Sequence, residues 1–276
     1  MRYMRIAAIV IFVAAAAFYI WADHKYNKDK NLDYPVFSCT EAVLELEVAD
    51  GKEGLLRGLK AYDSTDGDLT DRIMVASTSF FTEGGRTKVK YVVFDAHNNA
   101  TTFTREVIYK DYHSPRFHLH MPLVYELGSN VDFLSYLQAI DPLEGDISKR
   151  IKVVTSQVSN YSAGKFPVAL EVTNSYGVTE QLQLWVAVVQ KNSQTATIYL
   201  DDYIAYLEPG ERFDPYRHIT GVKRKDGTTL NVEDVKVLGG VDPTRPGYYE
   251  LTYRYEKGND VAETYLTVVV PEEVAK

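Results

Sequence analysis

The sequence predicts an all-β protein built as three tandem β-sandwich domains preceded by one transmembrane helix. Three observations carry that expectation. An uncharged apolar run occupies residues 6–22, a fifteen-residue motif occurs twice, and a glycine-led stretch of alternating apolar positions occurs three times. Tyrosine adds to it: 21 of the 276 residues are tyrosine against 11 phenylalanines. Tyrosine suits half-buried positions on a pleated sheet, where the ring packs and the hydroxyl reaches a polar partner.

The first element is the run IAAIVIFVAAAAFYIWA, 17 residues ended by Asp23. As a helix it spans about 26 Å, near the lower limit for a hydrocarbon core of about 30 Å. Tyr19 and Trp21 stand where interfacial aromatics are expected. A cleaved signal peptide would need small residues before the cut, and Ile20-Trp21-Ala22 is a poor match. A lipoprotein would need its cysteine directly after the run, and Cys39 lies far downstream. A helix apolar all round does not suit the surface of a soluble domain. The reading is an uncleaved signal anchor. Arg2 and Arg5 face Lys25, Lys28 and Lys30 across it, so the charge rule is nearly balanced. The large C-terminal part is placed outside because long domains translocate largely regardless of charge.

Next come the repeats. Residues 61–75, AYDSTDGDLTDRIMV, align without gaps on residues 139–153, AIDPLEGDISKRIKV, with seven identities. The alternating stretch runs through Gly85, Thr87, Val89, Tyr91, Val93 and Asp95, then Gly164, Phe166, Val168, Leu170, Val172 and Asn174, then Gly247, Tyr249, Leu251, Tyr253 and Tyr255. Period-two alternation is the signature of a half-buried strand, and the Asp or Asn with Asn or Gly behind it is hairpin-turn chemistry. A further strand follows at residues 103–109, 181–189 and 263–270, so each unit ends in a hairpin. The third unit replaces the acidic run with Asp226-Gly227 and Val235-Lys236-Val237. The expected organisation is a tail (1–5), the anchor (6–22), a linker (23–39), domains at 40–112, 113–192 and 193–271, and a short end (272–276).

The motif Asp-x-x-Asp-Gly-Asp-Leu-Thr leading into Ile-x-Val, followed by the glycine-led alternation, resembles the bacterial immunoglobulin-like repeats. These stand in tandem in surface proteins of Gram-positive bacteria and at the C-terminus of some insecticidal crystal proteins. The resemblance covers almost all of residues 40–271, but in the third unit only the second half, through Pro246-Gly247-Tyr248-Tyr249. It implies immunoglobulin-like sandwiches used as spacer or adhesion modules, with no shared catalytic residues.

Composition removes several functions. A single cysteine builds neither an intrachain disulfide nor a cysteine-rich zinc site. A net charge of -8 offers no footprint for nucleic acid. Motifs for nucleophilic or phosphate chemistry are missing, so the chain reads as non-enzymatic with no cofactor. Two clusters compete for a metal. Asp63, Asp66 and Asp68, joined by Asp95, and Asp141, Glu144 and Asp146 in the second unit set carboxylates around a glycine, as calcium requires. The simpler reading makes them turn residues that bond backbone N–H groups, beside Gly67 and Gly145. His118 and His120, with His113 nearby, share one strand face, and the simpler reading turns them to solvent while Phe117 and Leu119 face the core.

Nine tyrosines fall in the third unit. Of these Tyr199, Tyr203, Tyr206, Tyr216, Tyr248 and Tyr249 are the candidate binding surface, for a protein or glycan partner outside the cell. The expected function is a single-pass membrane protein, N-terminus inside, whose tandem domains serve as stalk and interaction module. The alternatives are a wall-polysaccharide binder and an accessory subunit whose helix, through Ala14–Ala17, packs against other membrane proteins.

Overall fold

The structure is a computed structural model that describes residues 2–28, 34–82 and 85–272. The chain opens with one helix, α1 (Arg2–Lys28). Its described apolar side chains, among them Ile11, Phe12, Phe18, Tyr19 and Trp21, are exposed. Among the described residues no helix is long and apolar enough to cross a membrane. Of the span expected at 6–22, the side chains of residues 6–9 lie outside the described ones.

Among the described residues the 21 strands follow one plan used three times. Repeat 1 contains β1 (Val36–Cys39), β2 (Val43–Leu46), β3 (Leu59–Asp63), β4 (Gly67–Asp68), β5 (Met74–Thr78), β6 (Arg86–Phe94) and β7 (Ala100–Tyr109). Repeat 2 contains β8 (Arg116–Leu119), β9 (Val124–Glu126), β10 (Leu137–Asp141), β11 (Gly145–Asp146), β12 (Lys152–Ser156), β13 (Gly164–Thr173) and β14 (Thr179–Val189). Repeat 3 contains β15 (Ala196–Leu200), β16 (Ile204–Tyr206), β17 (Ile219–Arg224), β18 (Thr229–Leu230), β19 (Val235–Leu238), β20 (Gly247–Lys257) and β21 (Asp260–Val270). Each repeat sets a three-stranded sheet, such as β8-β10-β11, with a four-stranded one, such as β12-β13-β14-β9. In repeats 2 and 3 the second strand, β9 or β16, pairs parallel to the last, β14 or β21. Repeats 1 and 2 even share a register shift at the same motif position, after Val75 and after Val153.

The alternating stretches become the long hairpin strands, and the expected positions form the core. Val89, Tyr91 and Val93 of β6, Val168, Leu170 and Val172 of β13, and Leu251, Tyr253 and Tyr255 of β20 are buried. Repeat 1 also buries Arg105, whose guanidinium donates to the carbonyls of Arg57 (2.8 Å) and Leu55 (2.7 Å) and lies over the Tyr91 ring.

Two features differ from the sequence expectation. The first sandwich starts at Val36, inside the stretch read as linker, because β1 pairs with β3 from Val36↔Tyr62 to Cys39↔Leu59. In addition, the chain divides into two compact units, residues 1–46, 52–79 and 88–107, and residues 47–51, 80–87 and 108–276. Repeats 2 and 3 thus lie in one unit, with one continuous hydrophobic cluster running from Phe117 and Leu182 to Leu251 and Val270.

The joint between repeats 2 and 3 explains that continuity. Strand β8 is the edge of its sheet, and an edge leaves N–H and C=O groups that need partners. Repeat 3 supplies them. The Phe117 N–H donates to the Tyr206 hydroxyl (2.9 Å), the Leu119 N–H donates to Asp202 Oδ1 (2.9 Å), and the Leu119 carbonyl accepts from the Tyr203 N–H (3.0 Å). Asp202 Oδ1 also accepts from the Ile204 N–H (2.9 Å) and Oδ2 meets His118 Nδ1 at 2.8 Å. Around this line stand the ion pairs Arg116–Glu208 (2.6 Å) and Lys225–Glu126 (2.8 Å).

Asp202→Ala therefore removes the acceptor of two backbone N–H groups at once. The expected loss is about 2–3 kcal/mol of unfolding free energy, read by denaturant titration, with Asp202→Asn losing less because it keeps one acceptor oxygen. A change below about 0.5 kcal/mol, the level of an ordinary surface substitution, would show that the edge does not depend on this residue.

Candidate functional site

The acidic residues of repeats 1 and 2 occupy two adjoining turns. The first lies between β3 and β4 or between β10 and β11, where Gly67 (φ 79°) and Gly145 (φ 73°) take the left-handed conformation that suits glycine. Asp63 Oδ1 accepts from the N–H groups of Thr65 (2.8 Å) and Asp66 (2.9 Å), and Asp141 Oδ1 does the same for Leu143 and Glu144 (2.9 Å each). Asp68 and Asp146 accept from the N–H groups of Thr70 and Ser148 (2.9 Å each). Those bonds, side chain first, hold both carboxyls below the usual range. Asp66 and Glu144 reach across to the second turn, to the N–H groups of Ala96 (2.6 Å) and Ser175. There Asp95 Oδ1 accepts from His97 (2.8 Å) and Asn99 (2.7 Å). Burial opposes the charge of Asp95, yet the donations from Asn99 and His97 hold its carboxyl low. Backbone bonding thus occupies at least one oxygen of each of the six acidic candidates.

The histidines do not converge either. The rings of His118 and His120 lie parallel, 6.5 Å apart, but His118 meets Asp202 while His120 meets Gln138 Oε1 at 3.0 Å, and His113 meets the Ser114 carbonyl. Among the described residues no group of three or more His, Cys, Asp or Glu side chains is arranged to hold a metal ion.

Of the six tyrosine candidates, three present substantial ring surface: Tyr199, Tyr216 and Tyr248 are 37%, 56% and 41% exposed. Tyr203 is buried at 2%, its hydroxyl donating to the Ile198 carbonyl (3.1 Å). Tyr206 is committed to β8, with the Arg116 guanidinium over its ring. Tyr248 donates to the Gln181 carbonyl of repeat 2 (2.7 Å), and Tyr249 donates to the Arg245 carbonyl (2.8 Å). The structure therefore does not gather the six on one open face: Tyr203, Tyr206 and Tyr248 contribute to repeat 3 or its joint with repeat 2.

Sequence reasoning passed over two residues beside these. Trp185 of β14 is 41% exposed with Lys165 Nζ 5.7 Å above its ring, and the same ammonium lies 4.1 Å from the Tyr265 ring. Its alternation with buried Leu184 and Val186 marks it as outward-facing. Glu180, on the same strand, interacts electrostatically with Arg116, Tyr206 and Tyr248 at the joint. Burial pushes its carboxyl up to about 7, against the pull of Arg116. No sequence signal marks it, because its burial is created by the following repeat.

Glu180 makes the joint pH-dependent. Its folded pKa stands above the unfolded one, so the folded state holds the extra proton between about pH 4.5 and about 7. The contribution is fully present below the unfolded value and is lost as pH rises through about 7. Unfolding free energy is expected to fall by about 2–3 kcal/mol from this group between pH 5 and pH 8, in proportion to the pKa displacement. Glu180→Gln should flatten that part of the profile, and an identical slope in the variant would assign the dependence elsewhere.

Comparison with known proteins agrees with the repeat reading. Residues 207–270 match the family described as Bacterial Ig-like domain (group 3). The pesticidal crystal protein Cry22Aa of Bacillus thuringiensis is 26% identical over 266 residues, which cover 92% of this chain and 36% of that protein. The chain thus spans about a third of the length of this curated relative. Among solved structures, the M60 catalytic domain with the CBM51-1 and CBM51-2 domains of Clostridium perfringens ZmpB aligns over 88% of this chain and 43% of that one, at 14% identity and a TM-score of 0.26. The lipoprotein BT2262 of Bacteroides thetaiotaomicron aligns over 55% and 98%, at 10% identity and a TM-score of 0.24. Scores this low carry no argument about fold or function. The family match is thus to residues 207–270, in repeat 3, and the duplicated turn motif and the sandwich plan used three times make the preceding repeats similar in kind.

Proposed function

We propose that the chain is a non-enzymatic extracellular module in which tandem immunoglobulin-like domains serve as a stalk and present an interaction surface. The observation that carries this reading is the joint between repeats 2 and 3. Tyr206, which sequence reasoning set aside for a ligand, instead joins Asp202 in closing a sheet edge, and two sandwiches share one core. Such a joint resists bending, which is what a spacer needs. Two shallow clefts of about 120 and 270 Å3, the first lined by Val124, Ala196 and Lys225 and the second by Arg150 and Glu171, fall below the volumes of about 300–1,000 Å3 typical of small-molecule sites.

Membrane attachment belongs to the same proposal. What supports it is the uncharged run at 6–22 and the exposure of large apolar side chains along α1, which need an apolar partner to leave water. With the N-terminus inside, the full chain should sediment with membranes and resist carbonate extraction. Protease added to intact cells should remove the repeats and spare an N-terminal tag. Recovery in the soluble fraction, or repeats shielded from protease in intact cells, would overturn the placement.

A second reading, binding to a wall polysaccharide, is favoured by Trp185, a 41% exposed indole on the outward face of β14 beside Lys165 and Tyr265. Aromatic faces offer apolar stacking surface to sugar rings, with polar neighbours to bond hydroxyls. If that reading holds, the chain co-sediments with insoluble wall polysaccharide and Trp185→Ala weakens the binding about tenfold, the effect of about 1.4 kcal/mol. Equal co-sedimentation of the two proteins, with unchanged melting, leaves the stalk reading alone.

A further inference from the structure

Each repeat ends its three-stranded sheet in an edge strand at the same place, β1, β8 or β15, and the three edges are finished differently. Their outward backbone groups belong to matching residues: Phe37 and Cys39, Phe117 and Leu119, Ile198 and Leu200. In repeat 2 the groups at Phe117 and Leu119 are met by Tyr206, Asp202 and Tyr203 of repeat 3. In repeat 3 the Tyr203 hydroxyl closes the edge from within, accepting from the Leu200 N–H (3.4 Å) and donating to the Ile198 carbonyl (3.1 Å). In repeat 1 the Thr40 N–H turns inward to the Gly58 carbonyl (3.1 Å), so by alternation the backbone groups of Phe37 and Cys39 turn outward. Among the described residues those N–H and C=O groups have no hydrogen-bond partner. Repeat 2 does not carry the closing pair: Pro122 and Glu126 stand where repeat 3 has Asp202 and Tyr206.

The side chains beside the two edges differ in charge. Repeat 2 carries Arg116 and His118 on the outer face of β8, and repeat 3 meets them with Glu208 (2.6 Å) and Asp202 (2.8 Å). The matching positions of β1 are Val36 and Ser38, and no charged residue lies between Tyr34 and Thr40. An acidic closing segment has nothing to pair with there. What the outer face offers is apolar surface: Tyr34, Val36 and Tyr62, the last opposite Val36 in register, are 58%, 67% and 60% exposed. An open edge is a template for a strand from another chain, and charges or proline on the strand are the usual protection. Of these β1 has only Pro35, which stands before the strand and outside its paired residues.

We propose that β1 is the surface through which two copies of this chain associate, its occupant being β1 of the second copy. The strands run antiparallel about a two-fold axis at Ser38, so that Phe37 of each copy lies opposite Cys39 of the other and exchanges both N–H···O=C bonds with it. The two three-stranded sheets then become one of six strands. Sliding the pair by two residues in one direction sets Pro35, which has no N–H, opposite Cys39. Sliding it in the other runs past the end of β1 and brings in Glu41. In the register chosen Val36 faces Thr40 and Ser38 faces Ser38, with no like charges opposed. The uncharged strand is thus complementary to itself, as a two-fold contact requires, and mismatched to the carboxylate that closes β8. This association goes beyond the stalk reading and needs no membrane, so it holds equally for a soluble chain.

The test uses the full chain in micelles of a neutral detergent, sedimentation equilibrium, and cysteine cross-linking under a mild oxidant. The wild type should sediment as a dimer in equilibrium with monomer. Ser38→Lys sets two ammonium groups opposite each other at the axis while changing only an exposed side chain. It should weaken association about fivefold with unchanged melting. In a Cys39→Ser background, Ser38→Cys should give a disulfide-linked dimer about tenfold faster than Thr40→Cys. Facing residues of a non-hydrogen-bonded pair have Cα atoms about 4.5 Å apart, within disulfide reach, whereas the two Thr40 positions stand about 13 Å apart along the strands. A wild type that stays monomeric throughout overturns the proposal. So does association undiminished in Ser38→Lys, or equal cross-linking at positions 38 and 40, either of which assigns the contact to another surface such as the exposed apolar side chains of α1.

Discussion

An edge strand is only as stable as whatever satisfies its outward backbone groups, and the arrangement of repeats 2 and 3 depends on how β8 solves that problem. Its outward N–H groups at Phe117 and Leu119 and the Leu119 carbonyl are completed by Tyr206, Asp202 and the Tyr203 N–H. Because Asp202 Oδ1 also receives the Ile204 N–H, one carboxylate closes a strand of repeat 2 and starts β16 of repeat 3. The register of β16 against β21, Ile204↔Thr267, is thereby coupled to the edge of the preceding sandwich. A tether of three residues between those bonds leaves little freedom for the two sandwiches to rotate. The shared core, from Phe117 through Leu200 to Val268, can then pack as a single interior.

A different constraint governs the acidic turns. Their shape is set by side-chain oxygens that accept two backbone N–H groups each, at Asp63 and Asp141 and again at Asp95 and Asn174. Since Asp and Asn offer that first oxygen equally, the turn does not discriminate between them. The difference falls entirely on the other terminal atom, an anionic oxygen or an N–H donor. Charge at this place can therefore change without changing the backbone, so two copies of one fold carry different terminal groups at the same turn position.

Much of the fold could be read from the sequence for a local reason. The alternation in β6, β13 and β20 has period two, and each inward residue is buried by its own hairpin and facing sheet, all within one repeat. Val36–Cys39 was read as linker because four residues with one flanking proline carry too little pattern to announce a strand. The carboxylates were equally visible, since Asp with Gly at fixed spacing identifies a turn. Their bonding state was not, because it depends on a second turn far along the chain, as when Asp66 meets the Ala96 N–H and Glu144 the Ser175 N–H. Glu180 and Tyr206 were opaque for the same kind of reason. Each lies at the end of its strand in phase with buried neighbours, Glu180 with Leu182 and Tyr206 with Ile204, and only the neighbouring repeat converts that end position into an interior one.

The tyrosines show what such conversion requires. Phenylalanine would fill much the same volume at positions 203, 206, 248 and 253. It would remove the hydroxyls to which the Ile198, Gln181 and Pro215 carbonyls and the Phe117 N–H bond. A hydrogen bond of this kind contributes about 0.5–1.5 kcal/mol, in addition to the packing gain of the ring itself. A phenol is long enough to cross from one layer to the backbone of the next while its ring remains in apolar contact. In a chain with a single cysteine, and so with no internal disulfide to fasten one sandwich to another, that reach is a direct way to make a joint specific. The concentration of tyrosine in repeat 3 follows from this: it is the repeat that must bond to the edge and outer face of its predecessor as well as close its own core.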